Sequence, residues 1–544
     1  MKRTGRVPVL SPQEAVDLIK DEAVVAIAGA GGGELEATEV ILALAERYRK
    51  TGSPKNLTFW HSLGLGDRAD RGMSPLAQKG LVKRVIGGHW GQSPRLAEMA
   101  DRDEIEAYNF PAGVMCQLAR AAAAGYPGIL SHVGLKTFLD PKNQGGKLNR
   151  VTKEDLILPV TVDGKDCLYY KTVAPDVAII RGTTADTEGY VTLEDEISFL
   201  DCAALAMAAH NHGGLVICQV QKMVMAGSLH PKQVKVPGCI VDAVVVAPEQ
   251  PQLYDLPSNR FLSGDYRQDF QGESEVMELN ERKVIARRAI VELEPGDIGN
   301  LGVGIADGVS VISGEEGISE EFTLTVEGGT FGGVSLRGIY FGATANAKAI
   351  LDMPSQFDFY DGGGLDICFL SFAEVDQQGN VNVHKFNGKT MGTGGFVDIC
   401  QNSKKVVFLG TLTAGGLKVD VADEKLKIRQ EGRFVKFVKS VPEITFHAGE
   451  AVRQGKTVLY VTERGVFRMT KEGLELFEIA PGIDLERDIL AHMEFCPKVA
   501  EPLKVMEPMY FREEIMGIRE SKFSKRKEEL RWGDFGRITG SEKR

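Results

Sequence analysis

The sequence predicts an α/β protein built from two homologous open α/β domains in one chain, and three observations carry that reading. Long aliphatic runs at residues 215–220 and 240–246 have the near-continuous apolar character of central parallel strands. Strand, glycine turn and helix follow one another along the chain, which is the grammar of βαβ units. Finally, residues 175–191 line up with residues 365–381 at a constant offset of 190. Asp176 then matches Asp366, Asp186 matches Asp376, Gly189 matches Gly379 and Val191 matches Val381. Each copy is an aspartate, a buried strand and an Asp-x-x-Gly turn into a further strand. Two packed domains of one design leave a cleft between them, where ligands are expected.

The elements follow in order. Ser11, Pro12, Gln13 and Glu14 form a capping box with proline at the first helical position, opening a short helix. A strand at 24–28 ends in Gly29-Ala-Gly-Gly-Gly33, and a helical pattern runs over 37–48. The turn approaches a dinucleotide fingerprint, but Gly29-x-Gly31-x-Gly33 lacks the G-x-G-x-x-G spacing, so NAD binding is not supported. Strands follow at 57–60, 83–86 and 177–180, with helices at 114–124 and 201–209. Residues 248–272, rich in Pro, Asn, Asp, Gln and Ser, read as a long surface segment joining the domains. A helix over 280–293 and a strand ending in Asn300-Leu-Gly-Val-Gly-Ile305 begin the second series. The expected boundaries are 1–275 for the first domain, 276–520 for the second and 521–544 for a basic extension, solvated or docked on another subunit.

The stretch that draws the chemistry runs from Phe322 to Gly333. Phe322, Leu324 and Val326 alternate with Thr323 and Thr325, a strand pattern that runs into Glu327 and then four glycines within six residues. Glycines there let backbone N–H groups and a ligand approach the carboxylate closely. A carboxylate so placed suits a nucleophile attacking an activated carbonyl; a solvated surface turn is the other reading of the same residues.

Composition narrows the class. A net charge of −11 and a pI near 5.5 argue against nonspecific nucleic-acid binding. No apolar run approaches the roughly 18 residues of a membrane span, and residues 7–21 lack a signal peptide's apolar stretch. The eight cysteines are scattered without a C-x-x-C pair, as expected for buried reduced thiols of a cytosolic protein. The nine histidines lack metal-ligand spacing, so no metal is expected.

Thr325-Val-Glu327-Gly-Gly329, Phe331-Gly-Gly333, Gln356-Phe-Asp-Phe-Tyr-Asp361 with Gly362 to Gly364, and Thr411-Leu-Thr-Ala-Gly-Gly416 together resemble the single-chain family I CoA-transferases. Val85-Ile-Gly-Gly-His-Trp-Gly91, Gly134 to Asp140, Gly145 to Asn149 and Ile479 to Leu485 extend the match over nearly the whole chain. The acetate/propionate branch is the most similar.

The resemblance implies that Glu327 attacks an acyl-CoA thioester, giving an acyl–glutamyl anhydride and then a covalent glutamyl-CoA thioester, from which an incoming short-chain carboxylate takes CoA by ping-pong kinetics. It also implies that Gly394 and Gly395 supply backbone oxyanion donors. The family's second donor is a glutamine in a Pro-Gln-Gly motif; here the motif is Pro111-Ala112-Gly113, leaving Gln117 as a nearby substitute. Asn300, Gly302, Gly304 and Gly342 are expected to bind CoA, with Lys348, Lys385 or Lys418 near phosphates. Gly31, His89 and Ala112 are placed at the acyl pocket or cleft. CoA is a substrate and no separate cofactor is expected. The expected partners are acyl-CoA and short-chain carboxylic acids, without nucleic acid or membrane, in a cytoplasmic homodimer or homotetramer. An acyl-CoA hydrolase and a CoA-binding protein without turnover are the alternatives.

Overall fold

The computed structural model describes residues 5–267 and 276–524. Two large sheets dominate it, each ten-stranded. The main path of the first runs Val9–Leu10, Ala243–Val246, Leu215–Val224, Val177–Asp186, Val24–Ile27, Leu57–His61, Val82–Gly87, Glu106–Asn109, parallel throughout. The second places Thr323–Val326, Ile298–Leu301, Ile367–Ser371, Lys405–Leu409 and Thr457–Val461 side by side in parallel, with antiparallel pairings beyond them on both sides. Helices cover the sheets, as the fully apolar central strands require.

The repeat in the sequence is a repeat in hydrogen bonding. Asp176 Oδ2 accepts the Val24 N–H at 2.8 Å, and Asp366 Oδ2 accepts the Ile298 N–H at 2.9 Å. Each aspartate thus pins a strand, Val24–Ile27 or Ile298–Leu301, to the neighbouring parallel strand that the aspartate itself precedes. The turns match as well: Asp186 Oδ1 accepts the Tyr190 N–H at 3.0 Å, and Asp376 Oδ1 accepts the Asn380 N–H at 2.9 Å. The capping box at Ser11 forms as the sequence dictates and opens the helix Pro12–Asp17.

One continuous core joins the two halves, containing Ala112, Val114 and Met115 from the first with Phe357, Tyr360 and Phe396 from the second. Backbone bonds cross the junction, Met353 N–H to Leu200 O at 3.0 Å and Phe138 N–H to Ile444 O at 2.7 Å.

Two expectations change. The segment over 248–272 is not simply a surface linker. Gln252, Leu253, Tyr254 and Leu262 are buried, and Leu253 and Leu262 form a small cluster with Ile197, Ala343 and Ala345. The expected boundary at 275/276 falls beside residues 268–275, which lie outside the described residues. The extension begins docked rather than solvated: Phe523 is 1% exposed in the core of the second sheet, and Lys522 Nζ donates to Val291 O at 2.6 Å. Its apolar ring outweighs the basic composition around it. Residues 525–544 lie outside the described residues. Of the eight free cysteines five are buried, whereas Cys239 and Cys496 are exposed.

Candidate active site

Glu327 follows the strand Thr323–Val326 at its carboxyl end, the end at which open α/β sheets bind ligands. The strand is held from below by a buried polar cluster. Asn300 Nδ2 donates to Thr325 O at 3.1 Å and to the Tyr360 hydroxyl at 3.2 Å, and the Tyr360 hydroxyl donates to Thr325 Oγ1 at 2.9 Å. Burial pushes the Glu327 carboxyl up to about 7, opposed by one hydrogen bond. That bond comes from the Gly395 N–H, which donates to Oε2 at 3.2 Å. A poorly solvated carboxylate is a stronger nucleophile than one in bulk water, and at neutral pH a large share of it is ionised.

The donor sits in a turn that both halves of the molecule clamp. Gly88 O accepts the N–H groups of Thr393 and Gly394 at 3.2 and 2.8 Å, while the Ala112 N–H donates to Gly394 O at 2.9 Å. Trp90 and Gly91 N–H both donate to Met391 O, at 2.8 and 2.9 Å. The turn then enters the helix Phe396–Asn402 with Gly395 as its N-cap. A Cβ on Gly395 would lie 2.8 Å from Glu327 Cδ, so only glycine admits this approach. Gly394 adopts φ +53°, the left-handed region, and its N–H is engaged by Gly88. Of the two glycines expected as oxyanion donors, Gly395 therefore aims at the carboxylate and Gly394 shapes the turn.

His89 borders the same turn: a Cβ on Gly394 would be 3.9 Å from its Cδ2. Burial pushes the imidazole down to about 4, with Arg68 adding to the effect, so at physiological pH it is neutral and only a weak base. Gly31 pairs with Gly66 in an isolated bridge and abuts Gln92, whose Nε2 would be 2.9 Å from an added Cβ. Ala112 is wholly buried, and its backbone supports Gly394 while its methyl offers no donor. Gln117 does not replace the missing glutamine. It faces away, its amide donating to Asp361 Oδ2 at 2.9 Å and Asp358 Oδ1 at 3.3 Å.

The residues expected to bind CoA separate. Asn300 is 1% exposed, and its amide is committed to the strand beneath Glu327 rather than facing a channel. Gly302 bonds Phe369 O at 2.7 Å and leaves only 3.0 Å between an added Cβ and Leu370, a close strand packing. Gly304, at φ +101°, turns the chain at the sheet end, with Ser371 Oγ 3.2 Å from an added Cβ. Gly342 lies elsewhere, beside Glu34, whose Oε2 would be 3.7 Å from a Cβ there. Lys348 pairs with Glu320 and Lys385 donates to Leu148 O at 3.0 Å; Lys418 is exposed on an outlying hairpin.

Two features escaped sequence reasoning. Glu34 ends the first glycine turn as a buried carboxyl, the mirror of the arrangement at Glu327, and the adjacency of five glycine-rich positions was its available signal. Asp398 is also wholly buried, accepts the Gly113 N–H at 3.2 Å and is pushed far up by burial and by Asp361. Its sequence neighbourhood carries no such mark, because the partners come from distant segments.

Comparison with known proteins gives concordant results. The family model described as Coenzyme A transferase matches residues 9–247. An acetate CoA-transferase, YdiF, of Escherichia coli (strain K12) is 58% identical over 514 residues, covering 94% of this chain and 97% of the relative. A caffeate CoA-transferase of Acetobacterium woodii is 41% identical over 518 residues, covering 94% and 98%. The crystal structure of an acyl-CoA transferase from E. coli O157:H7 in a thioester complex with CoA superposes with TM-score 0.91 at 56% identity, covering 95% of this chain and 99% of that one.

Proposed function

The chain belongs to the coenzyme A transferase family and is an enzyme that moves CoA between acyl-CoA and a free carboxylate, and from that premise we propose that Glu327 carries the CoA as a covalent thioester. A carboxylate nucleophile suits the task, because exchange of CoA between carboxylates is nearly isoenergetic and keeps the thioester energy. In the first step a Glu327 oxygen bonds to the thioester carbon, the C–S bond breaks and CoA leaves as thiolate, giving an acyl–glutamyl anhydride. The thiolate then attacks Glu327 Cδ, the anhydride C–O bond breaks, and the acyl group departs as its carboxylate. An incoming carboxylate runs both steps backwards.

The carrying observation is the Gly395 N–H at 3.2 Å from Glu327 Oε2. When thiolate or carboxylate adds to Cδ, negative charge develops on a glutamyl oxygen, and a donor already fixed there stabilises it by about 3 to 4 kcal/mol. Glu327 is half-buried, and the desolvation of its carboxyl supports the reading further, since both intermediates hydrolyse where water has free access. Acetate and other short-chain acids are the proposed acceptors, after the acetate CoA-transferase it is similar to. We further read the enzyme as cytoplasmic, free of metal or organic cofactor, and a homodimer or homotetramer; light scattering reads the last. Among the described residues no helix is long and apolar enough to cross a membrane.

Borohydride tests the covalent step. Reduction after incubation with acetyl-CoA is expected to modify Glu327 and block transfer to propionate, and Glu327→Ala is expected to fold and lose transfer. Transfer retained in that variant removes Glu327 from the chemistry.

A further inference from the structure

The helix Ala112–Ala123 begins without a side-chain cap of its own, because its N-cap residue, Pro111, carries no acceptor. The first N–H groups of a helix have no partner within it, so in a buried setting they need acceptors from elsewhere. Here the other half of the molecule supplies two. The Ala112 N–H meets Gly394 O at 2.9 Å, and the Gly113 N–H meets Asp398 Oδ2 at 3.2 Å. These acceptors flank Gly395, whose own N–H donates to Glu327 Oε2. Gly88 and Ala112 grip the turn before that donor, and Asp398 supplies the grip after it.

The chemistry proposed for Glu327 leaves Asp398 without a role. It is wholly buried in the first turn of the helix Phe396–Asn402. Its approach to Gly113 is tight: a Cβ on Gly113 would lie 2.5 Å from Asp398 Oδ1 and 2.6 Å from Phe357 Cδ1. Further round the same ring, a Cβ on Gly395 would lie 2.9 Å from Phe357 Cζ and 2.8 Å from Glu327 Cδ. Phe357 therefore fills the space between the two glycines, and contacts run unbroken from Asp398 and Gly113 through its ring to Gly395 and Glu327. A close-packed interior has no slack, so a displacement at Gly113 is passed along that line. Burial, Asp361 and the Glu327 carboxylate favour the neutral form of Asp398, against the pull of the Gly113 N–H. A neutral carboxyl still accepts that hydrogen bond and adds no charge to repel the nucleophile.

We propose that Asp398 is a positioning residue of the transfer reaction: by capping the helix Ala112–Ala123 at Gly113, it holds the Gly395 N–H on the Glu327 carboxyl. This rests on the reading of Glu327 as the nucleophile. An apolar side chain would fill the same volume, but it would leave the Gly113 N–H unpaired and the turn fixed only on the side before its donor.

The test uses Asp398→Leu, which matches the carboxyl in size without an acceptor, and Asp398→Asn, which keeps the acceptor and is neutral. Steady-state transfer from acetyl-CoA to propionate reads kcat and KM, and thermal unfolding reads stability. Asp398→Leu is expected to lower kcat by about 10- to 100-fold. Its KM for acetyl-CoA is expected to stay within about twofold of wild type, as for an interaction that matters in the transition state. Asp398→Asn is expected to recover kcat to within about threefold of wild type. The leucine change is also made in the Gly395→Ala background. A residue acting through the Gly395 donor costs little once that contact is disturbed, whereas a merely structural one costs the same in both backgrounds. Asp398→Ala carries the same comparisons if the leucine variant does not fold. Equal losses in the two backgrounds, wild-type kcat in a folded variant without the acceptor, or an asparagine variant as poor as the leucine one overturns the proposal. Failure of both the leucine and alanine variants to fold also overturns it, since the residue would then hold the fold rather than the donor. Glu327→Ala assayed alongside separates the two readings. Transfer retained there overturns the nucleophile, whereas loss there with normal kcat in the Asp398 series overturns only the positioning.

Discussion

The Gly395 N–H meets Glu327 Oε2 at 3.2 Å although 68 residues separate the two in the chain. The contact exists because Gly88 and Ala112, from the other half of the molecule, grip the turn through Thr393 and Gly394. Nucleophile and donor thus come from the second domain, and the first domain sets the angle between them.

Gly395→Ala tests that approach directly. Gly395 has φ −85° and ψ 6°, which alanine adopts without strain, so the variant reports contact rather than backbone freedom. Its Cβ would press on Glu327 Cδ at 2.8 Å and Phe357 Cζ at 2.9 Å. A displaced carboxylate is expected to lower kcat by about 100-fold, with the folded state retained. Wild-type kcat in this variant would remove Gly395 from the site.

Gly88→Ala tests the grip of the first domain. A Cβ there would fall 1.9 Å from Ser62 O, so the backbone that offers Gly88 O to Thr393 and Gly394 must move. Stability is expected to fall by about 1 to 3 kcal/mol, and kcat to fall by about 100-fold through the shifted turn. Thermal unfolding and steady-state rates read the two effects separately; a folded variant with normal kcat would show that the clamp is not needed.

The Glu327 carboxyl gives a pH dependence with a definite sign. Its folded-state value, about 7, lies above the ordinary 4.5, so the native protein holds an extra proton between those limits. Its contribution to stability is present below about 4.5 and lost as pH rises through about 7. Glu327→Gln should therefore gain stability over the wild type at pH 8 and little at pH 4.5, measured as the shift in urea midpoint. The rate runs the other way: kcat/KM for acyl-CoA is expected to fall about tenfold per pH unit below about 7, as the nucleophile protonates. A flat profile from pH 5 to 8 would count against a buried carboxylate nucleophile.

Asn300→Ala distinguishes a support from a ligand for CoA. Loss of its bonds to Thr325 O and the Tyr360 hydroxyl is expected to cost about 1 to 3 kcal/mol of stability and to leave KM for acyl-CoA near its wild-type value. A raised KM with unchanged stability would return Asn300 to the CoA channel.

By itself the sequence determined the fold class and the nucleophile candidate. Apolar runs, glycine punctuation and the repeat at an offset of 190 are local or self-comparing signals, and Asp176 and Asp366 turn that repeat into equivalent hydrogen bonds. Glu327 was visible because its strand and its glycines are contiguous with it. Tertiary structure alone decided which groups surround it. The choice of Gly395 over Gly394 depends on Gly88, the inward turn of Asn300 depends on Tyr360, and the diversion of Gln117 depends on Asp361. Each of those partners lies far away in the chain, and hydrogen-bond direction is fixed only when both partners are placed. Glu34 shows the same limit: its glycine turn was legible, but that it stands buried beside Gly328 was not, since the other half of the molecule supplies that wall.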